Sequence, residues 1–204
     1  TTGWNTANGR TANMAALAAS AKTLNSSRGF LPGLGIRLLR TDISNSTSLG
    51  IPELDKTKLV DSRFTAACYA GIAAGGTPSL PLTFKFLRVV GLEADLQPEE
   101  TELLLESGVC PPIPDPVRYR GWLCSRQFST HLVDDNLVNL EFSIGRVADW
   151  VAENIRRRHY DYVGKEGVEG IAESIKRATL GILADARRAG QILSFNPDAV
   201  VVQI

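Results

Sequence analysis

The sequence predicts a chain in which helices and β-strands are interleaved, a fold of the α/β or α+β class. Three observations lead there. Several stretches place apolar residues at helical spacing, others alternate as strands do, and clusters of Gly, Pro, Ser, Asn and Asp separate them. No internal repeat or low-complexity tract interrupts the pattern.

The first element is an Ala-rich helix over 11–24, broken by Asn25-Ser26-Ser27-Arg28-Gly29. A short strand is predicted within 30–39, although Pro32, Gly33 and Gly35 weaken it, and the Ser-, Thr- and Asn-rich stretch 41–58 reads as an exposed loop. Asp61 or Ser62 caps a small-residue helix that stops at Gly75-Gly76, with Phe64, Ala67, Cys68, Gly71 and Ile72 on one face. Its many Ala and Gly residues imply a close neighbour. An extended stretch follows Pro78 and Pro81 through Phe84, Phe86 and Val89.

Pro98, with Glu99 and Glu100 beside it, starts a helix that buries Leu103, Leu104 and Leu105 and ends at Gly108. After Pro111, Pro112, Pro114 and Pro116, a long strand is predicted over 117–128, with Tyr119 and Leu123 on one face and Trp122 on the other. Asp134-Asp135-Asn136 marks a turn, and Val138 to Phe142 reads as a short return strand. Ser143 can cap the next helix, whose stripe is Ile144, Val147, Ala148, Val151 and Ile155, with Asp149, Glu153 and Arg157 opposite. Gly164 to Gly170 is a break. A last helix runs over 171–189 to Gly190 with Ile171, Ile175, Ala178, Ile182 and Ala186 inward, followed by strands at Ile192–Phe195 and Ala199–Ile204 around an Asn196-Pro197-Asp198 turn.

Composition narrows the function classes. The 22 Lys and Arg balance the 22 Asp and Glu, which argues against a bulk electrostatic nucleic-acid binder and favours association with other proteins. Cys68, Cys110 and Cys124 are widely spaced, and with His131 and His159 as the histidines they form no zinc pattern, so reduced, buried thiols are expected. No apolar run reaches the ~20 residues of a membrane span, so no membrane insertion is expected, and no signal peptide is visible. The chain starts Thr1-Thr2-Gly3 without an initiator Met, as a piece of a longer protein would.

Catalytic signatures are missing. There is no dinucleotide fingerprint, P-loop or nucleophile elbow, and nothing in the sequence makes Cys124 and His131 partners. Catalytic, cofactor and metal residues are therefore all expected to be none. The sharpest charge feature is Arg156-Arg157-Arg158-His159. Three adjacent arginines spread over about 200° of a helix, which fits either a solvated helix end or a patch for an acidic protein partner. Trp150 reads as core rim or as an interface anchor.

From Phe64 onward the order of segments resembles the C-terminal region of contractile-tail sheath proteins, those of contractile phages and R-type pyocins. Phe64-Thr65-Ala66-Ala67-Cys68-Tyr69-Ala70-Gly71 is similar to that family's small-residue helix. Pro81 to Lys85, Val90-Gly91-Leu92, the Glu99-Glu100 helix with its Glu106-Ser107-Gly108-Val109 exit, and Arg126 to Thr130 follow in the family's order, with Ser129-Thr130 where a Thr pair is usual. Phe142 to Asp149, Tyr162-Val163-Gly164-Lys165, and the closing Gly190 to Leu193 and Ala199 to Val202 complete the resemblance.

The resemblance implies helices packed on a mixed β-sheet in one sheath-type domain, 64–204, joined by an N-terminal helix, strand and loop over 1–63. It also implies a structural subunit rather than an enzyme, without cofactor. The subunit would form a helical sheath of hexameric rings around a tail tube protein, with baseplate and tail terminator proteins at its ends and no direct nucleic-acid contact. Its place would be the virion tail, assembled in the bacterial host cytoplasm. Ala199, Val200, Val201, Val202, Gln203 and Ile204 become candidates for a strand added to a neighbouring subunit's sheet. Arg156, Arg157, Lys176 and Arg177 become candidates for switchable polar contacts with tube or subunit. A tail terminator or sheath-like baseplate protein, or a small cytosolic enzyme or binding domain, remain alternatives.

Overall fold

A computed structural model describes residues 4–39, 57–115, 117, 121–134, 136–166 and 169–202. The chain forms two compact units, one of Thr1–Gly76 with Pro81–Phe142 and one of Thr77–Leu80 with Ser143–Ile204. The exposed loop expected over 41–58 lies outside the described residues except for its last two positions.

In the first unit, α1 spans Ala7–Leu24. It starts a turn earlier than its Ala-rich run predicts because the Thr6 hydroxyl accepts the Gly9 N–H at 3.1 Å. Asn25, at φ 34°, ends it in the left-handed region. The strand expected over 30–39 is cut to β1 (Ile36–Leu39), since the Pro32-Gly33 turn leaves only a single parallel bridge from Leu31 to Val109. β1 lies between β2 (Thr57–Val60) and β4 (Gly91–Leu92), antiparallel to both, with Ile36 opposite Val60 and Leu92.

Helix α2 (Ser62–Gly75) is capped by Asp61, as expected. Its buried face is rotated from the expected one. Thr65 and Tyr69 are fully enclosed, with Cys68, Ile72 and Ala73 packed beside them, whereas Phe64 is exposed and a side chain at Gly71 would touch nothing. Two polar bonds set this rotation, from the Thr65 hydroxyl to the Leu34 carbonyl and from the Tyr69 hydroxyl to the Cys110 carbonyl. Helix α3 (Pro98–Glu106) starts and stops where the sequence predicts, with Gly108 at φ 76° beyond it. It buries Leu104 fully while Leu103 points to solvent.

The second sheet has the order β3 (Phe86–Leu87), β6 (Trp122–Cys124), β5 (Pro112–Pro114), again antiparallel. The long strand expected over 117–128 is therefore observed as β6, with Tyr119 outside the described residues, and Phe128 forms one bridge to Glu141. The predicted return strand is instead the short helix α4 (Leu137–Leu140), because the Asn136 side chain accepts the Val138 N–H and caps a helical turn. The mixed sheet implied by the resemblance is thus corrected to two small antiparallel sheets, and the fold class is α+β.

Three buried clusters merge into one core for this unit. Trp4, Leu34, Ile36, Leu92 and Ala94 form the first, Tyr69, Leu82, Leu87 and Cys124 the second, and Ala21, Leu104 and Val109 the third. Trp122, Cys68 and Val89 touch the first two, while Met14, Leu17 and Leu96 touch the first and third. Both faces of β6 are covered, with Leu123 buried on one and Trp122 packed on the other.

The other unit is built from α5 (Phe142–His159), which enters it at Ser143, a 3-10 turn at Tyr160–Tyr162, α6 (Glu169–Arg188), and a 3-10 turn at Pro197–Ala199. Ser143, expected as the cap of α5, lies inside its first turn and is buried. Beyond α6, Gly190 takes φ 70° and the Gln191 N–H returns to the Ala186 carbonyl at 2.9 Å. Ile192–Phe195 is not a strand, and Leu193 is 95% exposed.

Candidate intersubunit interface

The helical unit carries both candidate sets. Its expected apolar stripes are only half-buried at Val147, Val151 and Ile155 on α5 and Ile171, Ile175, Ala178 and Ile182 on α6, Ile144 and Ala148 are exposed, and Ala186 is fully enclosed. The opposite surfaces are charged, and neighbours one turn apart pair up. Arg157 Nε donates to Glu153 Oε1 at 2.7 Å, Arg177 Nη2 to Glu173 Oε2 at 3.0 Å, and Arg188 to Asp185 at 3.2 Å.

The four candidate cations therefore divide into two kinds. Arg157 and Arg177 are already matched by their own helix, whereas Arg156 and Lys176 are exposed without an ion pair among the described residues. The structure does not bring the four together. Arg156 and Arg157 line a hollow of about 380 Å³ with Glu153, Tyr160 and Asp161. Arg177 belongs to a larger groove of about 1040 Å³, shared with Arg158, Asp161, Tyr162, Lys165 and Asp185. The sequence reading missed this groove. Its only signal was the Arg158 to Lys165 stretch leaving α5, and the α6 residues that complete it lie more than a helical turn further along.

At the C-terminal end, Ala199 closes a 3-10 turn, Val200 is extended at φ −83°, ψ 99°, and Val201 is 71% exposed. Ala199 to Val202 pair with no strand among the described residues, and Gln203 and Ile204 lie outside them. Gln191 Oε1 accepts the Ser79 N–H at 3.1 Å, holding 77–80 beside the start of this closing segment. Ser79, Ile144, Val147, Ile192 and Leu193 line a shallow apolar hollow of about 450 Å³ there.

The thiols offer no reactive centre in this geometry. Burial pushes Cys110 up to about 12 and Cys124 up to about 11, so both stay protonated near neutral pH. His131 faces Asp134 at 3.2 Å, and Asp134 accepts the Asn136 N–H at 2.9 Å, which makes this stretch the turn expected for it. Those hydrogen bonds, the Asn136 backbone first, hold the Asp134 carboxyl below its usual range. Among the described residues no group of three or more His, Cys, Asp or Glu could hold a metal ion, and no helix is long and apolar enough to cross a membrane.

The antiparallel sheets of one unit and the helices of the other define a class, the fold of sheath tail proteins. It matches the crystal structure of the sheath tail protein from Listeria innocua with a TM-score of 0.65 at 15% identity, over 96% of this chain and 46% of that one. The sheath tail protein from Desulfitobacterium hafniense gives 0.66 at 14% identity, over 92% and 46%. A chain in the anti-feeding prophage baseplate gives 0.59 at 13%, over 91% and 52%. In sequence, the chain is similar to the tail sheath protein of Bacillus phage SP01, 31% identical over 135 residues, which is 65% of this chain. This chain is tail-sheath-like, and it spans 23% of that phage protein's length and about half of each matched structure. No protein-family model matches it.

Proposed function

We propose that this chain is the C-terminal part of a structural subunit of a contractile tail sheath, which polymerises around a tail tube and contracts to drive it through a target envelope. The observation that carries the reading is the sheath-type fold over 96% of the chain, joined to 31% identity with a phage tail sheath protein. The subunit works mechanically rather than as an enzyme. Its extended polymer is held by contacts with the tube and baseplate, and release lets subunits rotate into a packing with more buried interface. Self-association, tube, baseplate and terminator are its contacts, and the virion tail is its place.

Two features of the helical unit support the assignment of contacts. Among the described residues Val200–Val202 pair with no strand, and although the Val200 N–H is held by the Pro197 carbonyl at 3.2 Å, exposed Val201 supports addition to a neighbour's sheet edge. The exposed charges of α5 and α6 suit contacts that must break and re-form, since solvent-exposed ion pairs are worth only about 0–1 kcal/mol each.

Electron microscopy of the full-length protein tests the reading: hollow helical tubes are expected, and a monodisperse protein that never polymerises overturns it. Deleting Ala199 to Ile204 should abolish polymerisation while the fold persists, and normal assembly of the truncated protein removes strand donation. The baseplate match favours a second reading, a sheath-like baseplate component. Closed rings in place of long tubes identify it.

A further inference from the structure

We propose that the outer face of the β3–β6 strand pair is the docking site for helix α3 of a second copy of this chain. Phe86 faces Leu123 across the pair, and its ring lies over Gly121, where a Cβ would come within 2.4 Å of it. Leu123 is buried, while Phe86 stays 48% exposed. Phe84, in the adjoining bulge, is also exposed, and it holds φ 58°, a left-handed conformation that bulky side chains rarely adopt. Two aromatic rings left on the surface, one of them on a strained backbone, point to a use outside the chain.

Cations surround these rings. Lys85 lies between them, exposed Arg88 follows β3, and exposed Arg126 stands two residues past Cys124, whose backbone pairs with Phe84 and Lys85. None of the three forms an ion pair among the described residues. Segments 81–92 and 121–128 contain no Asp or Glu. Asp115, which follows β5, accepts the Val117 N–H at 2.9 Å, and Glu141, which bridges to Phe128, accepts the Gln127 side chain at 2.8 Å.

Helix α3 carries the complement. Glu99, Glu102, Leu103 and Glu106 stand at i, i+3, i+4 and i+7, so they share one face, and all four are exposed, Leu103 by 52%. Glu100 is taken by Arg10, but the three carboxylates of this face form no ion pair among the described residues. Glu106 lies in the last turn, where the helix dipole opposes negative charge, and no basic residue shares that turn. A leucine among three unmatched carboxylates fits two phenyl rings among three unmatched cations. Both surfaces belong to one unit and both are exposed, so a single chain does not satisfy itself. Because two different patches meet, the contact runs head to tail and propagates instead of closing a dimer. It rests on the reading of the chain as a polymerising sheath subunit, and it names one contact of that polymer.

The test is sedimentation of the full-length protein over a concentration series, with microscopy recording the form of any polymer. Arg88→Glu with Arg126→Glu, and Glu102→Lys with Glu106→Lys, should each weaken self-association by about tenfold or more at an unchanged unfolding midpoint. Phe84→Gly should weaken it without loss of stability. Mixing the two charge-reversed chains, or placing all four substitutions in one chain, should restore association to within about threefold of wild type. Charge-reversed chains that assemble like wild type, or a mixture that stays dissociated, overturn the contact, and wild-type tubes then leave the sheath reading standing. Association restored by mixing, but into forms other than tubes, upholds the contact and removes the sheath reading. Variants that lower the unfolding midpoint instead place the rest of the same polypeptide on this face and overturn the contact, as does a loss seen only in binding to a tube protein. Should the charge-reversed chains fail to fold, separate chains carrying Phe84→Cys and Leu103→Cys must form a mixed disulfide under mild oxidation, and its absence overturns the contact.

Discussion

The Arg10 guanidinium grips the Glu100 carboxylate from 90 residues away in sequence, tying the first turn of α1 to the first turn of α3. Arg10 Nε donates to Glu100 Oε1 at 2.8 Å, Nη2 reaches both Glu100 Oε2 and the Asp95 carbonyl, and the Gln97 N–H donates to Oε2 at 2.8 Å. The carboxylate also sits at a helix N-terminus, where negative charge is favoured. Arg10, then the Gln97 N–H, hold its pKa below the usual range against the opposing effect of burial. The contribution of this fork is therefore present above the ordinary Glu pKa of about 4.3 and lost as pH falls through the lowered folded value. Glu100→Gln should cost about 1–2 kcal/mol at pH 7, and the cost should shrink as pH falls below the ordinary Glu range and through the lowered folded value, read by urea unfolding across a pH series.

Gln127 should prove the least replaceable polar residue of the core. It is 2% exposed, its Oε1 accepts the Leu82 N–H at 2.8 Å, and its Nε2 donates to Glu141 Oε1 at 2.8 Å. Gln127→Leu leaves the buried Leu82 amide unmatched and should lower stability by about 1–3 kcal/mol in denaturant unfolding.

The thiols should report burial directly. In the native protein at pH 8, a disulfide reagent should modify Cys68 slowly and Cys110 and Cys124 not measurably, with all three reacting in denaturant. Peptide mapping by mass spectrometry identifies the order.

Phe84 occupies a position that glycine prefers. It takes φ 58° in a bulge where its own N–H and the Lys85 carbonyl both pair with Cys124, and its ring is 62% exposed. Phe84→Gly gives up little buried area and relieves a left-handed bulky residue, so stability should be unchanged or higher by up to about 1 kcal/mol. Thermal unfolding checks it.

If the sheath reading holds, the α5 and α6 cations should differ in assembly. Arg156→Glu and Lys176→Glu should shorten or prevent sheath polymers in sedimentation assays without moving the unfolding midpoint. Arg157→Ala and Arg177→Ala should do less, because Glu153 and Glu173 already match those charges.

The helices were legible because their signals are local. Asp61 before α2, Pro98 and Gly108 around α3, and the stripes of α5 and α6 lie within a few residues of what they specify. The strands were not, because a strand exists only where a partner is found: Phe128 makes a single bridge, Val138 lies in a helical turn, and Ile192 pairs with no strand among the described residues. The rotation of α2 was hidden for the same reason, since Thr65 and Tyr69 are chosen by carbonyls of Leu34 and Cys110 distant in sequence. In the candidate interface, the charged run Arg156 to Arg158 was visible, while its division into matched and unmatched cations required the side-chain geometry.

By itself, then, the sequence determined the long helices, the Asp61 cap and Pro98 start, the lack of catalytic signatures and the sheath resemblance, each carried by neighbouring residues or by their order. Tertiary structure decided which faces are buried, that the sheet is two antiparallel sheets, and that His159 faces two carbonyls from different helices. Those outcomes depend on contacts between segments far apart along the chain, which local periodicity does not encode.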